Sequence, residues 1–190
     1  MENGNHWRLY GHPSAATTAL SQALSASVSK EVEAEITAAI FVINASSGLD
    51  QNTIELWHAY DELLMPRILV VTGFDEGLQD FDDAVMIANR VFSPMATPFL
   101  VLHDEQGLPV ALISLADLSI IDYSTTPPTT LMSDPEHQTL VQEFRDEYLE
   151  LLQSSGEHAF PAGLLFPAIP LWIEKGIGVD IVERYIKELN

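Results

Sequence analysis

Eight residues near the start of the chain have the spacing of a phosphate-binding loop. Residues 11–18 (GHPSAATT) follow the frame G-x-x-x-x-G-K-[ST], in which glycines turn backbone N–H groups toward phosphate and a lysine neutralises its charge. Ala16 stands at the second glycine and adds a Cβ where a positive φ or a close backbone approach is needed. Thr17 stands at the lysine and removes a charge-assisted hydrogen bond worth about 1.5–3 kcal/mol. The spacing therefore predicts a loop that has lost its two working residues.

Other residue types that perform chemistry give weaker patterns. The six histidines form no i, i+4 pair and no H-E-x-x-H sequence, so the sequence predicts no metal site. The acidic run at residues 75–83 lacks the ligand ladder of a calcium loop, and a turn followed by a helix N-terminus explains it better. His12 and Ser14 are close in sequence, but closeness in sequence is not the geometry of a nucleophile and its base.

The composition excludes several functional classes. The chain has 190 residues, 8 Lys and Arg against 28 Asp and Glu, a net charge of −20 and no cysteine. Because its basic residues never cluster, we expect no direct binding of nucleic acid. The apolar runs are too short to span a bilayer and the first residues lack the pattern of a signal peptide, so we expect no membrane contact and a cytoplasmic location. The excess of acidic residues favours a basic protein partner, or it simply forms a solvated surface.

Alternating strand and helix patterns predict an α/β fold with a mostly parallel sheet flanked by helices. Continuous apolar runs at residues 39–44 and 67–72 indicate strands buried on both faces. Shorter strands are predicted at residues 7–10 and 164–169, and Pro167 favours an edge position for the last one. These patterns predict about four parallel strands, with helices beginning at residues 17, 50, 80 and 180 and a polar, helix-compatible segment at residues 30–36.

A different pattern interrupts the alternation between about residues 99 and 160. Apolar runs at residues 98–103 and 109–114 flank the turn sequence Asp-Glu-Gln-Gly, which predicts a β-hairpin. Ser133-Asp134-Pro135-Glu136 combines a capping box with an early proline and predicts a helix to about residue 153. We interpret residues 1–190 as one domain with an inserted hairpin and helix subdomain.

The order of these segments resembles the G domain of the translational GTPases, above all elongation factor G. Residues 11–18 resemble the family's G-H-x-D-A-G-K-T-T, and residues 39–53 are similar to its strand before the Q-x-Q-T-E helix. Met65-Pro66-Arg67-Ile68 is similar to V-P-R-I, and residues 71–75 with Asp80-Phe81 are similar to V-N-K-M-D-R-x-G-A-D-F. Residues 175–186 resemble the helix that ends the G domain. The resemblance implies a shortened P-loop GTPase-like fold.

The same resemblance implies a vestigial nucleotide site. Its residues are Gly11, Ser14, Thr17, Thr18 and Asp75, the last from the guanine motif N-K-x-D, which here reads Thr-Gly-Phe-Asp. The family's final S-A motif falls on Pro170-Leu171, and a proline has no backbone donor. Only 20 residues separate Thr18 from the strand at residue 39, which leaves no room for the family's switch regions. Because phosphoryl transfer depends on positioning and charge neutralisation, we expect no GTPase activity.

Removing the switch strands would leave the first strand uncovered. We therefore predict that Trp7, Leu9 and Tyr10 form an exposed edge for a homodimer or protein partner. The alternative is that Arg8, the N-terminal residues or residues 26–35 cover this edge.

Together these interpretations predict a non-catalytic pseudo-GTPase that acts as a protein-interaction or regulatory module with no cofactor. One alternative is a weak guanine-nucleotide-binding protein with residual GTPase activity, for which the cofactor is GTP or GDP with Mg²⁺. Another is a scaffold subunit related to the family by fold alone.

Overall fold

A computed structural model describes residues 6–76 and 79–189. Its centre is a six-stranded parallel sheet with the strand order β2-β1-β3-β4-β10-β5. The strands are β1 (Trp7–Gly11), β2 (Ser27–Val28), β3 (Ala38–Asn44), β4 (Arg67–Thr72), β5 (Met95–Ala96) and β10 (Phe166–Pro170). Four of them match the predicted strands. The expected number was wrong because β2 and β5 have two residues each, too few to leave a periodic signal.

Helices cover both faces of this sheet. The helices of the described residues are α1 (Thr17–Ala23), α2 (Gln51–Ala59), α3 (Phe81–Val91), α4 (Pro135–Leu140), α5 (Gln142–Ser155) and α6 (Val179–Lys187), of which α4 and α5 lie in the inserted region. Successive strand side chains point to opposite faces, so Leu9 and Ile40 join one core while Tyr10 and Phe41 join the other. The first core includes residues of α1 and α6, and the second includes residues of α2 and α3.

Two helices begin at the aspartates where the sequence predicts their starts, and both aspartates act as caps. The side chain of Asp50 accepts from the N–H of Thr53 at the start of α2. Asp80 and Asp83 form a reciprocal capping box at the start of α3. Each satisfies backbone donors that a helix leaves without a partner.

The residues between β5 and β10 form an antiparallel sheet and two helices. Its strands, in spatial order, are β6 (Phe99–His103), β7 (Pro109–Ser114), β8 (Ser119–Asp122) and β9 (Thr129–Met132). The predicted hairpin is β6–β7, and the Asp104 carboxylate accepts from two N–H groups of its turn. The predicted long helix begins at Pro135, is capped by Asp134 rather than Ser133, and is interrupted at Val141.

Pro167 does not lie in an edge strand, which corrects the prediction. β10 pairs with β4 on one side and with β5 on the other. Pro167 lies opposite Ala96, one of the two residues of β5. A proline has no N–H to donate to the hydrogen bonds between strands, and the two-residue strand β5 forms few such bonds with β10.

The first strand is not a bare edge, which corrects a second prediction. β2 pairs with β1 in parallel, with Arg8 opposite Ser27 and Leu9 opposite Val28. Leu9 and Tyr10 are completely buried. The segment after β2 is irregular at residues 29–37 rather than helical.

Hydrogen bonds hold this irregular segment over the sheet. The hydroxyl of Tyr10 donates to the carbonyl of Glu31 over 3.1 Å and also contacts the hydroxyl of Tyr60. The N–H of Glu33 donates to the Tyr60 hydroxyl over 2.9 Å, and the Glu33 carboxylate pairs with Arg8 over 2.7 Å. The covering segment predicted as the alternative, residues 26–35, thus lies beside the first strand.

Candidate functional site

The predicted site residues lie where β1, β3 and β4 end. In parallel α/β sheets, ligands bind in the crevice at the carboxyl ends of the strands. Gly11 ends β1 opposite Val42 of β3, and a Cβ on Gly11 would lie 2.6 Å from the Val42 carbonyl oxygen. The glycine therefore allows the loop to leave the sheet close to its neighbouring strand.

The loop has a left-handed backbone at Ala16, a conformation that favours glycine over alanine. Residues Pro13–Ala15 form one 3₁₀ turn, and Ala16 follows with φ 57° and ψ 35°, in the left-handed region. That conformation suits the glycine of the motif and strains an alanine by about 1–2 kcal/mol. α1 begins at the next residue, Thr17, without a side-chain cap.

The amide donors of the loop are turned inward. The N–H of Ser14 donates to Nδ1 of His12 over 3.2 Å, and the N–H of Ala15 donates to the His12 carbonyl over 2.9 Å. The N–H of Ala16 donates to the carbonyl of Pro13 over 3.2 Å, while Pro13 has no N–H. Three amides that a phosphate loop would offer to its ligand are therefore occupied within the turn.

His12 and Ser14 are in contact, although closeness in sequence alone did not justify pairing them. Nδ1 of His12 lies 2.8 Å from Oγ of Ser14. Since Nδ1 already accepts the Ser14 N–H, it is the acceptor for the hydroxyl as well. Both side chains are exposed and lie in one turn, so this contact caps the 3₁₀ turn.

The two threonines of the motif have different surroundings. Thr17, at the position of the lysine, is buried, and its methyl group lies beside Gly11. Thr18 is exposed at the start of α1. The side chain at the lysine position therefore contributes to packing beneath the loop.

The guanine-motif segment is tied to the sheet. Thr72 is buried and its hydroxyl donates to the carbonyl of Ile43 over 3.3 Å. Gly73 has a φ of +68°, Phe74 belongs to the core, and Asp75 is half-buried in the turn after β4. The structure therefore places Asp75 beyond the end of β4, as the resemblance implies.

The residue that the sequence analysis missed is Asn44, the last residue of β3. Its Nδ2 donates to the carbonyl of Ser14 over 3.3 Å, and its Oδ1 accepts from the N–H groups of Ser46 and Ser47. A Cβ on Gly73 would clash with the amide group of Asn44. Asn44 therefore fills the crevice between the loop and the segment after β4.

Ser46 completes this connection, because its hydroxyl donates to the Gly73 carbonyl over 3.0 Å. The signal for both residues was a polar run directly after a buried apolar strand, where a parallel sheet presents its crevice.

A carboxylate lies near the histidine of the loop. Burial of the Asp50 carboxyl alone would raise its pKa, but hydrogen bonds from Thr53 and the nearby charge of His12 outweigh burial and lower the pKa. Asp50 therefore remains an anionic cap at the start of α2.

Metal-binding clusters and membrane-spanning helices are both absent from residues 6–76 and 79–189. No group of three or more His, Asp or Glu side chains is placed there to hold a metal ion. No helix in this part of the chain combines the length and apolar character needed to cross a membrane.

Comparison with known proteins gives a consistent relationship. No protein-family model matches the chain. It is 29% identical over 161 residues to an elongation factor G-like protein of Mycobacterium tuberculosis, found in two strains, and the match covers 74% of this chain. This similarity supports an elongation factor G-like domain in the chain. It spans 22% of the length of those relatives.

One further protein and one solved structure extend the comparison. Mitochondrial ribosome-releasing factor 2 of Anopheles gambiae is 23% identical over 128 residues, covering 63% of this chain and 17% of that protein. A crystal structure of a Thermus thermophilus protein superposes with a TM-score of 0.71 at 24% identity, covering 83% of this chain and 27% of that one. The resemblance and the fold class predicted from the sequence are confirmed.

Proposed function

We propose that this elongation factor G-like domain is a non-catalytic pseudo-GTPase that acts through protein contacts and mimics or modulates a translational GTPase. The observation that carries the proposal is the inward hydrogen bonding of the loop. Ser14, Ala15 and Ala16 donate their N–H groups to His12 and Pro13, so these three donors are not free for a phosphate chain.

Charge supports the same conclusion. Thr17 provides no cation at the lysine position, and the chain has a net charge of −20. A nucleotide polyphosphate would be repelled by the overall field of the protein and would find no lysine to compensate.

The segment between α1 and β3 supports the absence of catalysis. It contains only the two residues of β2 and an irregular stretch, where the resemblance implies switch regions that hold magnesium and orient water. Without those parts, a bound nucleotide would not be positioned for hydrolysis.

One observation favours the alternative of weak guanine-nucleotide binding. Ala16 keeps the left-handed backbone of the motif, and Thr18 is exposed at the start of α1. A rearrangement of the turn would be enough to free its amides.

Thermal unfolding with and without millimolar GTP, GDP or ATP plus Mg²⁺ separates the two functions. A ligand at a hundredfold excess over its Kd stabilises the folded state by about 2.7 kcal/mol. For a chain of this size, that would raise Tm by roughly 5 to 10 °C. We expect no shift with any nucleotide and no release of phosphate from GTP.

A shift confined to GTP and GDP would refute the proposal and establish the weak binder. An equal shift with all three nucleotides would also refute it, since the crevice would then bind phosphate without recognising guanine. The cytoplasmic location and the use of a protein partner belong to the same proposal.

A further inference from the structure

A groove that shares no residue with the vestigial nucleotide site runs between α3 and α5. Its volume is about 290 Å³. The floor consists of buried apolar side chains from the region that joins the two sheets, among them Met95, Leu100 and Leu115. Neither the vestigial site nor the resemblance accounts for this groove.

α3 contributes one wall with a regular spacing. Asp82, Val85, Met86 and Asn89 line the groove, and they occupy positions i, i+3, i+4 and i+7 of the helix. Such positions form one stripe along a helix face, here about 10 Å long at 1.5 Å per residue.

α5 contributes the other wall with the same spacing. Phe144, Glu147, Tyr148 and Leu151 also occupy positions i, i+3, i+4 and i+7. Both stripes are two turns long, so residues of the two helices line the groove along about 10 Å of each helix.

The rims of the groove expose large apolar side chains. Met86 is 48% exposed and Phe144 is 47% exposed, on opposite walls. Together with the apolar floor they provide the kind of surface that an amphipathic helix covers.

The charged residues that line the groove are acidic. They are Asp82 on α3 and Glu147 on α5. Within residues 6–76 and 79–189, Lys and Arg side chains form ion pairs with Glu33, Asp61 and Glu183, and none of these ion pairs includes Asp82 or Glu147. Each wall therefore carries a carboxylate that a cationic partner would neutralise.

The environment of Asp82 makes its negative charge costly. The residue as a whole is exposed, yet burial of its carboxyl against the groove raises its pKa, and the nearby charges of Asp80 and Asp83 raise it further. The nearby His103 acts in the opposite direction. A lysine or arginine placed here would relieve this repulsion.

We propose that the α3–α5 groove binds an amphipathic helix of a basic protein partner, with its apolar stripe on Met86 and Phe144 and cationic residues beside Asp82 and Glu147. This inference rests on the interaction-module function proposed above. A second copy of this chain is the poorer occupant, because two chains of charge −20 repel each other.

Binding of synthetic helices tests the proposal. The probe is a fluorescein-labelled peptide of about 14 residues, a typical helix length, with leucines at i, i+3, i+4 and i+7 and flanking lysines. A second peptide has glutamates in place of the lysines. Fluorescence anisotropy should show saturable binding of the basic peptide, weakened by salt, and at least tenfold weaker binding of the acidic peptide.

Variants locate the binding. Phe144→Ala should lower the affinity for the basic peptide about tenfold, as expected when a central aromatic anchor is truncated. Asp82→Asn should lower this affinity about threefold and reduce the salt dependence of binding, within the range of an exposed charge pair. Leu140→Ala is the matched control, because Leu140 is 69% exposed on α4 and does not line the groove. Its affinity should equal that of the unmodified chain.

Several results would overturn the groove as a docking site. These are the absence of binding by the basic peptide, equal binding of the acidic peptide, and an equal loss in Leu140→Ala and Phe144→Ala. Melting curves of each variant verify that these surface substitutions leave the fold intact. If the chain binds neither GTP nor the basic peptide, the proposed pseudo-GTPase function stands and only the proposed docking site in the groove is refuted.

Discussion

Replacing Ala16 with glycine tests the strained backbone of the loop. Ala16 has φ 57° and is exposed, so Ala16→Gly removes strain without emptying a buried site. Relief of the left-handed strain is worth about 1–2 kcal/mol, while the greater freedom of glycine in the unfolded chain costs about 0.5–1 kcal/mol. The free energy of unfolding should therefore rise by up to about 1.5 kcal/mol, which raises Tm by up to about 6 °C.

Ala15→Gly is the matched control one residue away. Ala15 is only 1% exposed and is not among the residues with positive φ. Its replacement removes a buried methyl group worth about 0.8 kcal/mol and adds about 0.5–1 kcal/mol of backbone freedom to the unfolded state. This variant should lower Tm by roughly 3 to 6 °C. Chemical denaturation and thermal melting of both variants measure the difference.

If Ala16→Gly lowers stability as much as Ala15→Gly does, position 16 is not left-handed. A thermal shift of Ala16→Gly with GTP and Mg²⁺ would equally contradict the structure of the loop. We expect none, because a glycine at position 16 leaves the N–H groups of Ser14 and Ala15 on His12 and supplies no lysine.

Two further predictions concern the second core and its covering segment. Tyr60→Phe removes the hydroxyl that accepts the N–H of Glu33, so the free energy of unfolding should fall by about 1–3 kcal/mol. Limited trypsin digestion should then cleave faster after Lys30. An unchanged cleavage rate would contradict this. Burial of the Asp61 carboxyl raises its pKa, but hydrogen bonds from His58 and buried Arg67 outweigh burial and lower the pKa below 3.8. Asp61→Asn removes this stabilised carboxylate and should therefore destabilise the chain at neutral pH. The carboxylate thus stabilises the fold above the usual pKa of an aspartate and loses its effect as the pH falls through the lowered pKa. The stability difference from the unmodified chain should therefore be present at neutral pH and shrink below about pH 4. A difference that persists in acid would refute this role.

The chain's own residues determined the elements that carry strong local signals. Two buried strands were evident because six consecutive residues of β3 (38–43) and five of β4 (68–72) are apolar or β-forming. The starts of α2 and α3 were evident because Asp50 and Asp80 lie at the starts of their own helices. The loop frame at Gly11 and Thr18 was equally visible, as was the loss of its lysine. These features depend on neighbours in the chain, so composition and spacing are enough to predict them.

Contacts between distant residues decided the rest. β2 and β5 exist because β1 and β10 offer them ladder partners, and no two-residue strand is stable alone. The covering of β1 depends on hydrogen bonds from Tyr10 to Glu31 and from Glu33 to Tyr60, residues that are distant in the chain, so the bare edge predicted from the missing switch strands does not occur.

Asn44 and the α3–α5 groove show the same limit. Asn44 joins the turn at Ser14 to Gly73 only because β1, β3 and β4 end at one edge of the sheet. The groove forms only where stripes on α3 and α5, which are remote from each other in the chain, face each other. The sequence therefore determined which motif residues are missing. The tertiary structure decided how Asn44 connects the loop to Gly73 and which surface is left open, because both depend on packing between distant segments.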